Sequence, residues 1–306
     1  MSDAKSYIIT GPTSGIGRAT AFEVAKHGAV ILVGRDREKL SGLQKALEQK
    51  GGRAVPVLCD LSDLASVRRA ATEIAGLGQP IAGLLNNAGI LQLQPTENTS
   101  GWDMTFATNH LGPFALTEAL APHLLDGANV VFVASTVEDP DINPGKAVGY
   151  RGARYISAEA SARGEWRPGG SKLPGADAYA TAKQCNLATA LAFTRETPRL
   201  RFNAISPGLI PTTGLFRGDA NGFGGMLSKY VVPALVPLLM PFMTFLSTPR
   251  YAARIITKIL TDASGQTGVY YDARGRAIFG SALVREQKFQ ARVVAETRAL
   301  LATVQP

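Results

Sequence analysis

Only two cysteines, Cys59 and Cys185, occur in 306 residues. That is too few for a disulfide framework and points to a reducing compartment, read here as the cytoplasm. Charge is sparse as well: Asp, Glu, Lys and Arg make up 18% of the chain against 45% hydrophobic residues, which excludes a disordered protein. Aromatics stop at 7%, and the basic residues are scattered singly. The net charge of +8 therefore lacks the clusters and aromatic interleaving of a nucleic-acid binder. It reads as a solvated surface with a few cations for an anionic cofactor. "MSDAKSY" carries an acid early and leads into no long apolar core, so no signal peptide is expected. The uncharged stretch "VVPALVPLLMPFMTFL", Val231–Leu246, has 16 residues, whereas a membrane span needs about 20. Pro233, Pro237 and Pro241 also disfavour a continuous helix there. No metal site is expected.

Linkers, low-complexity segments and solenoid repeats are missing too, so residues 1–306 read as a single domain. Short β-branched runs recur along it: "YIIT", "AVILVG", "AVPVLCD", "GLLNN", "NVVFVAS" and "RFNAIS". Helical-period segments such as Ile16–His27, Arg37–Lys50 and Leu64–Ala75 separate them. This alternation predicts an α/β, doubly wound parallel sheet with helices on both faces. "GVYYD" near Val269 is expected as the last strand and Ala282–Val304 as a C-terminal helix. Extra material lies in an inserted loop at about 138–176 and in a segment at about 212–248. The 43 residues between Ser135 and Tyr179 are long for a connection inside a compact domain. They form either a wall of the site or a surface excursion or subunit contact.

The turn "TGPTSGIGR", Thr10–Arg18, follows the first strand and spaces its glycines G-x-x-x-G-x-G. Gly11 permits the tight turn, Gly15 lets a backbone N–H approach a pyrophosphate, and Gly17 lets the helix pack close to the strand. A helix N-terminus there offers N–H groups and a positive dipole end to phosphates. No Lys-Ser/Thr follows the last glycine, so the turn is not a mononucleotide P-loop. A Rossmann-type dinucleotide site is expected.

The spacing, with markers that follow it in order, resembles the short-chain dehydrogenase/reductase family. Those markers are Asp60 closing "LCD", "NNAG" at Asn86–Gly89, Asn109 in "TNHLG", Ser135 in "VAS", Tyr179 and Lys183 in "YATAK", and "PGLIPT" at Pro207–Thr212. Within the family, "AYATAKQCN" and "PGLIPTTGLFR" are most similar to the light-dependent protochlorophyllide reductase and retinol dehydrogenase-like branch. Cys185 fits the protochlorophyllide reductase pattern, but Leu209 stands where those enzymes carry Cys directly after Pro-Gly.

Residue chemistry agrees with the resemblance. Of eight tyrosines only Tyr179 has Lys four residues on, so phenol and ammonium share a helix face. A nearby cation favours phenolate and should lower a pKa that starts at about 10. Ser135 ends a predicted strand, where open α/β sheets bind ligands. The resemblance implies that Tyr179 exchanges the proton and that Ser135 hydrogen-bonds the substrate oxygen. It implies that Lys183 holds the nicotinamide ribose and that Asn109 anchors a water relaying protons to Lys183. For Asn109, a polar bond fixing a helix kink is the alternative. The implied cofactor residues are Gly11, Thr13, Ser14, Gly15, Ile16, Gly17 and Arg18, then Asp60 and Leu61, then Asn87, Ala88 and Gly89. Tyr179 and Lys183 join them, with Pro207, Gly208, Ile210 and Thr212 around the nicotinamide.

After the second strand, where an NAD enzyme places an acid, this chain has Gly34 followed by Arg35. A guanidinium there grips a 2′-phosphate with a fork of donors, and Arg18 offers a second cation. The pair favours NADP(H) over NAD(H), and a reduction. The expected substrate is a small molecule, a bulky apolar carbonyl or alcohol, under a broken lid at Val231–Leu246, with peripheral membrane contact as a source. A C=C reductase and a catalytically silent NADP(H)-binding sensor or scaffold are the alternatives.

Overall fold

The six β-branched runs become strands β1 (Ser6–Thr10), β2 (Ala29–Gly34), β3 (Ala54–Leu58), β4 (Ile81–Asn86), β5 (Leu124–Val133) and β6 (Arg201–Ile205). They pair in parallel in the order β3-β2-β1-β4-β5-β6. The computed structural model describes residues 5–142, 145–146, 149–173, 175–210, 243 and 245–304. Every residue of β1 is buried, as expected of a strand covered on both faces. β3 contains Pro56, which has no N–H for a ladder; its place at the sheet edge, paired with β2 alone, tolerates that.

Helices α1 (Gly15–Val24) and α2 (Arg37–Glu48) cover one face with a later helix, α8 (Pro249–Leu260). The other face carries α3 (Leu64–Gly76), the short α4 (Met104–Phe106), α5 (Gly112–Leu120) and the long α7 (Ala176–Glu196). Between α4 and α5 runs a π-helical turn, Ala107–Leu111, that holds Asn109. Side-chain caps start several helices: Asp36 accepts from Lys39 N, Asp63 from Ala65 N and Thr248 from Tyr251 N.

Two C-terminal expectations change. The strand at "GVYYD" is only β7 (Tyr270–Tyr271), parallel to β6, and an antiparallel β8 (Ala277–Ile278) closes the edge. The single helix expected over Ala282–Val304 is two, α9 (Ala282–Arg285) and α10 (Gln287–Ala302). Glu286 between them is extended (φ −78°, ψ 118°), and buried Gln290 donates through Nε2 to Val284 O at 2.8 Å, which satisfies the end of α9.

The inserted loop is tied to the body at several points. Ala153 N donates to Glu138 O (2.9 Å), Arg154 N to Thr181 Oγ1 of α7 (2.8 Å) and Tyr155 Oη to Glu296 of α10 (2.6 Å). Its short helix α6 (Ala158–Ala162) receives a bond from Asp103 N at Ala162 O. The segment 212–242, which holds most of the expected lid together with Thr212, lies outside the described residues.

Candidate active site

At the C-terminal ends of the strands, beside the point where the order reverses between β1 and β4, lies a cleft of about 950 Å³. In open α/β sheets that is where ligands bind. Its lining includes Gly11, Thr13, Ser14, Gly15, Ile16 and Gly17 from the turn, Arg35, Asp60 and Leu61, and Asn87, Ala88 and Gly89 after β4. Ser135, Tyr179, Lys183, Pro207, Gly208 and Ile210 complete the other half. Residues scattered over 200 positions therefore share one cavity.

The glycine turn behaves as its spacing predicts. Gly11 and Gly15 have φ of +63° and +52°. A Cβ on Gly17 would stand 2.2 Å from Gly11 O and 2.6 Å from Asn87 Nδ2, so α1 meets the turn backbone with no room for a side chain. Ser14 makes no side-chain cap, which leaves the first N–H groups of α1 facing the cleft. The buried Thr10 staples this turn to the segment after β4: its Oγ1 accepts from Asn87 N (2.9 Å) and Ala88 N (3.0 Å), while its carbonyl accepts from Asn87 Nδ2 (2.9 Å). Asp60 Oδ1 accepts from Ser62 N and Oγ, which fixes the carboxylate at the rim.

At the other end, Lys183 is 3% exposed and donates to Val133 O at 2.7 Å. Burial lowers its ammonium pKa to about 8. Its Nζ lies 5.4 Å from the Tyr179 ring centroid, over the ring. The expected fall in the Tyr179 pKa is therefore not what the geometry gives. Burial pushes the phenol well above its ordinary value, and the neighbouring Tyr150 phenol adds to this; only the Ser135 hydroxyl beside it acts the other way. A desolvated phenol holds its proton.

Asn109 does not line the cleft. Its amide forms a reciprocal pair with Ile90, accepting from the N–H and donating to the carbonyl at 2.8 Å each, and Asn186 Nδ2 donates to its backbone oxygen (2.8 Å). These contacts tie the π-helical turn to the segment after β4 and to α7. Gly89 sits between the two groups: a Cβ there would be 3.3 Å from Asn109 Oδ1 and 3.6 Å from Lys183 Nζ. Arg18 is also outside the lining, and its guanidinium lies over the Phe22 ring at 5.1 Å.

Sequence reasoning missed Lys39, Ser206 and Tyr150. Lys39 lines the cleft near Arg35, its ammonium 2.6 Å from Asp36. The capping of α2 by Asp36 was a signal that these side chains turn towards one another. Ser206 accepts from Thr136 N (3.2 Å), holding the turn after Ser135, and it directly precedes the recognised Pro207. Nothing local marked Tyr150.

Among the described residues no helix is long and apolar enough to cross a membrane. The geometry can be set beside known proteins. The sequence model of the short chain dehydrogenase family matches residues 5–146. A protochlorophyllide reductase of Avena sativa is 30% identical over 287 residues, covering 86% of this chain and 88% of that one. In fold, the chain is similar to the angucycline C-6 ketoreductase LanV with bound NADP, with a TM-score of 0.63 and 20% identity over 89% of this chain and 94% of that one. A short chain dehydrogenase from Burkholderia cenocepacia J2315 in complex with NADP gives a TM-score of 0.64 at 20% identity, over 89% and 97% of the two chains. With the doubly wound sheet, the glycine turn and the relationship to the oat enzyme taken together, this chain is an oxidoreductase of the short-chain dehydrogenase/reductase family.

Proposed function

We propose that the chain is an NADP(H)-dependent oxidoreductase that passes a hydride between nicotinamide and the carbonyl or alcohol of a bulky apolar substrate. The observation that carries this reading is one continuous cleft with an uncapped helix N-terminus and Arg35 at one end and Ser135, Tyr179 and Lys183 at the other. A dinucleotide fits what is present: N–H groups for the pyrophosphate, backbone approach at Gly11 and Gly17, and cations at Arg35 and Lys39 for a 2′-phosphate. Pro207, Gly208 and Ile210 would border the nicotinamide, whose C4 supplies the hydride chemistry when bound. Solved relatives described with NADP support the same choice of cofactor.

Tyr179, kept neutral by burial, suits proton donation to a substrate oxygen, which is the direction of reduction. Ser135 donates to the same oxygen. Lys183 holds a positive charge near the ring as the phenol loses its proton. Apolar Leu209 and Phe245, 43% and 42% exposed, line the cleft and favour an apolar substrate. Supply from a membrane surface through Val231–Leu246 belongs to the same proposal.

A second reading, C=C reduction, draws on the oat relative. Leu209 weighs against it, since it lines the cleft and has no proton to give. A silent sensor would not need Ser135, Tyr179 and Lys183 together.

Cofactor choice is tested by fluorescence titration. NADPH should bind more tightly than NADH, and Arg35→Ala should narrow the gap mainly by weakening NADPH; equal affinities in the parent would remove the claim. The pH profile gives a separate check. The Lys183 ammonium is present below about 8 and is lost as pH rises through that value. Reductive kcat/KM should therefore decline across that pH, and a flat profile up to the ordinary lysine value of 10.5 would contradict the role.

A further inference from the structure

Tyr150 comes from the inserted loop, is 3% exposed, and packs with Leu91, Ala176 and Tyr179. Its backbone is pinned on both sides. Tyr150 N donates to Gly145 O (3.0 Å), Arg151 N to Ser171 Oγ (2.9 Å), and Lys172 N to Gly149 O (3.3 Å). The side chain borders the cleft beside Tyr179. A buried ring thus brings a hydroxyl to the wall of the cavity.

A donor in that position costs free energy if substrate covers it without pairing. The reacting carbonyl cannot take it. A carbonyl oxygen has two lone pairs, and Ser135 with Tyr179 already provides two donors for them. A second oxygen on the substrate would pair this third donor. Because the Tyr150 and Tyr179 rings share one cluster, that acceptor lies close to the reacting group.

We propose that Tyr150 is a substrate-recognising residue whose hydroxyl donates to a second oxygen next to the reacting carbonyl, so that the preferred substrates are apolar ring ketones with a vicinal oxygen. This rests on the reading of Ser135 and Tyr179 as the donors to the carbonyl.

The test uses the full chain loaded with NADP+, titrated calorimetrically with acenaphthenequinone, a vicinal diketone, and with acenaphthenone, the monoketone of the same ring system. A separate titration first establishes NADP+ affinity for the parent and for Tyr150→Phe, which keeps the ring and its packing. The parent should prefer the diketone by about tenfold, the worth of one good hydrogen bond. In Tyr150→Phe the two ketones should bind within about twofold of each other, with NADP+ affinity unchanged. A parent with no preference, a variant that keeps it, or a loaded protein that binds neither ketone would overturn the inference and leave the cofactor reading standing. Failure of the parent to bind NADP+ would remove the proposed function and this inference with it.

Discussion

Tyr179→Phe should lose about a hundred- to ten-thousandfold in kcat, the usual worth of a positioned general acid, while NADPH affinity stays within about twofold of the parent. The substitution deletes one oxygen from a side chain whose ring packs against Leu91, Ala176 and Tyr150, so the packing survives. Lys183 keeps its bond to Val133 O, because that bond does not involve the phenol. The glycine turn lies at the other end of the cleft. Cofactor binding and catalysis should separate cleanly. If kcat on an active carbonyl stayed near the parent value, the proton would be coming from another group.

Gly17→Ala should do the reverse and act on the cofactor. The new Cβ would fall 2.2 Å from Gly11 O, a backbone atom of the cradle, and 2.6 Å from the Asn87 amide that staples the cradle to the segment after β4. Neither is a free end that can swing aside: Asn87 Nδ2 already serves the carbonyls of Thr10 and Gly11. Overpacking of this kind costs about 1–3 kcal/mol. If about 1.4 kcal/mol of it falls on the turn, NADPH affinity drops about tenfold. The check is a fluorescence titration beside a melting curve. Parent-like NADPH affinity would mean that the turn is not the cofactor's cradle.

The parts of this account that were legible in the sequence are short-range. Strand periodicity, the glycine spacing and the i, i+4 placement of Tyr179 and Lys183 each depend on a few neighbouring residues. All reappear in β1, α1 and α7. What was hidden depends on contacts between distant segments. The Tyr179 pKa moves up chiefly because the phenol is buried, and burial is a property of the whole fold. The Arg18 guanidinium lies over Phe22, one helical turn on, a contact that the glycine spacing does not display. The break at Glu286 needs Gln290 to reach back to Val284, which no periodicity displays. Tyr150 enters the cleft from a loop rich in Gly, Pro and charge, where nothing local distinguishes it from a surface residue.

Direct transfer of hydride from nicotinamide to a carbonyl carbon is the central claim, and isotope placement tests it most directly. The full chain would be incubated with NADPH deuterated at C4 and a bulky apolar ring ketone, and the product analysed by mass spectrometry and proton NMR. The account predicts an alcohol with a single deuterium on the carbinol carbon, formed from one of the two C4 positions only. An unlabelled product, or deuterium on a reduced carbon–carbon double bond with the carbonyl intact, would contradict it.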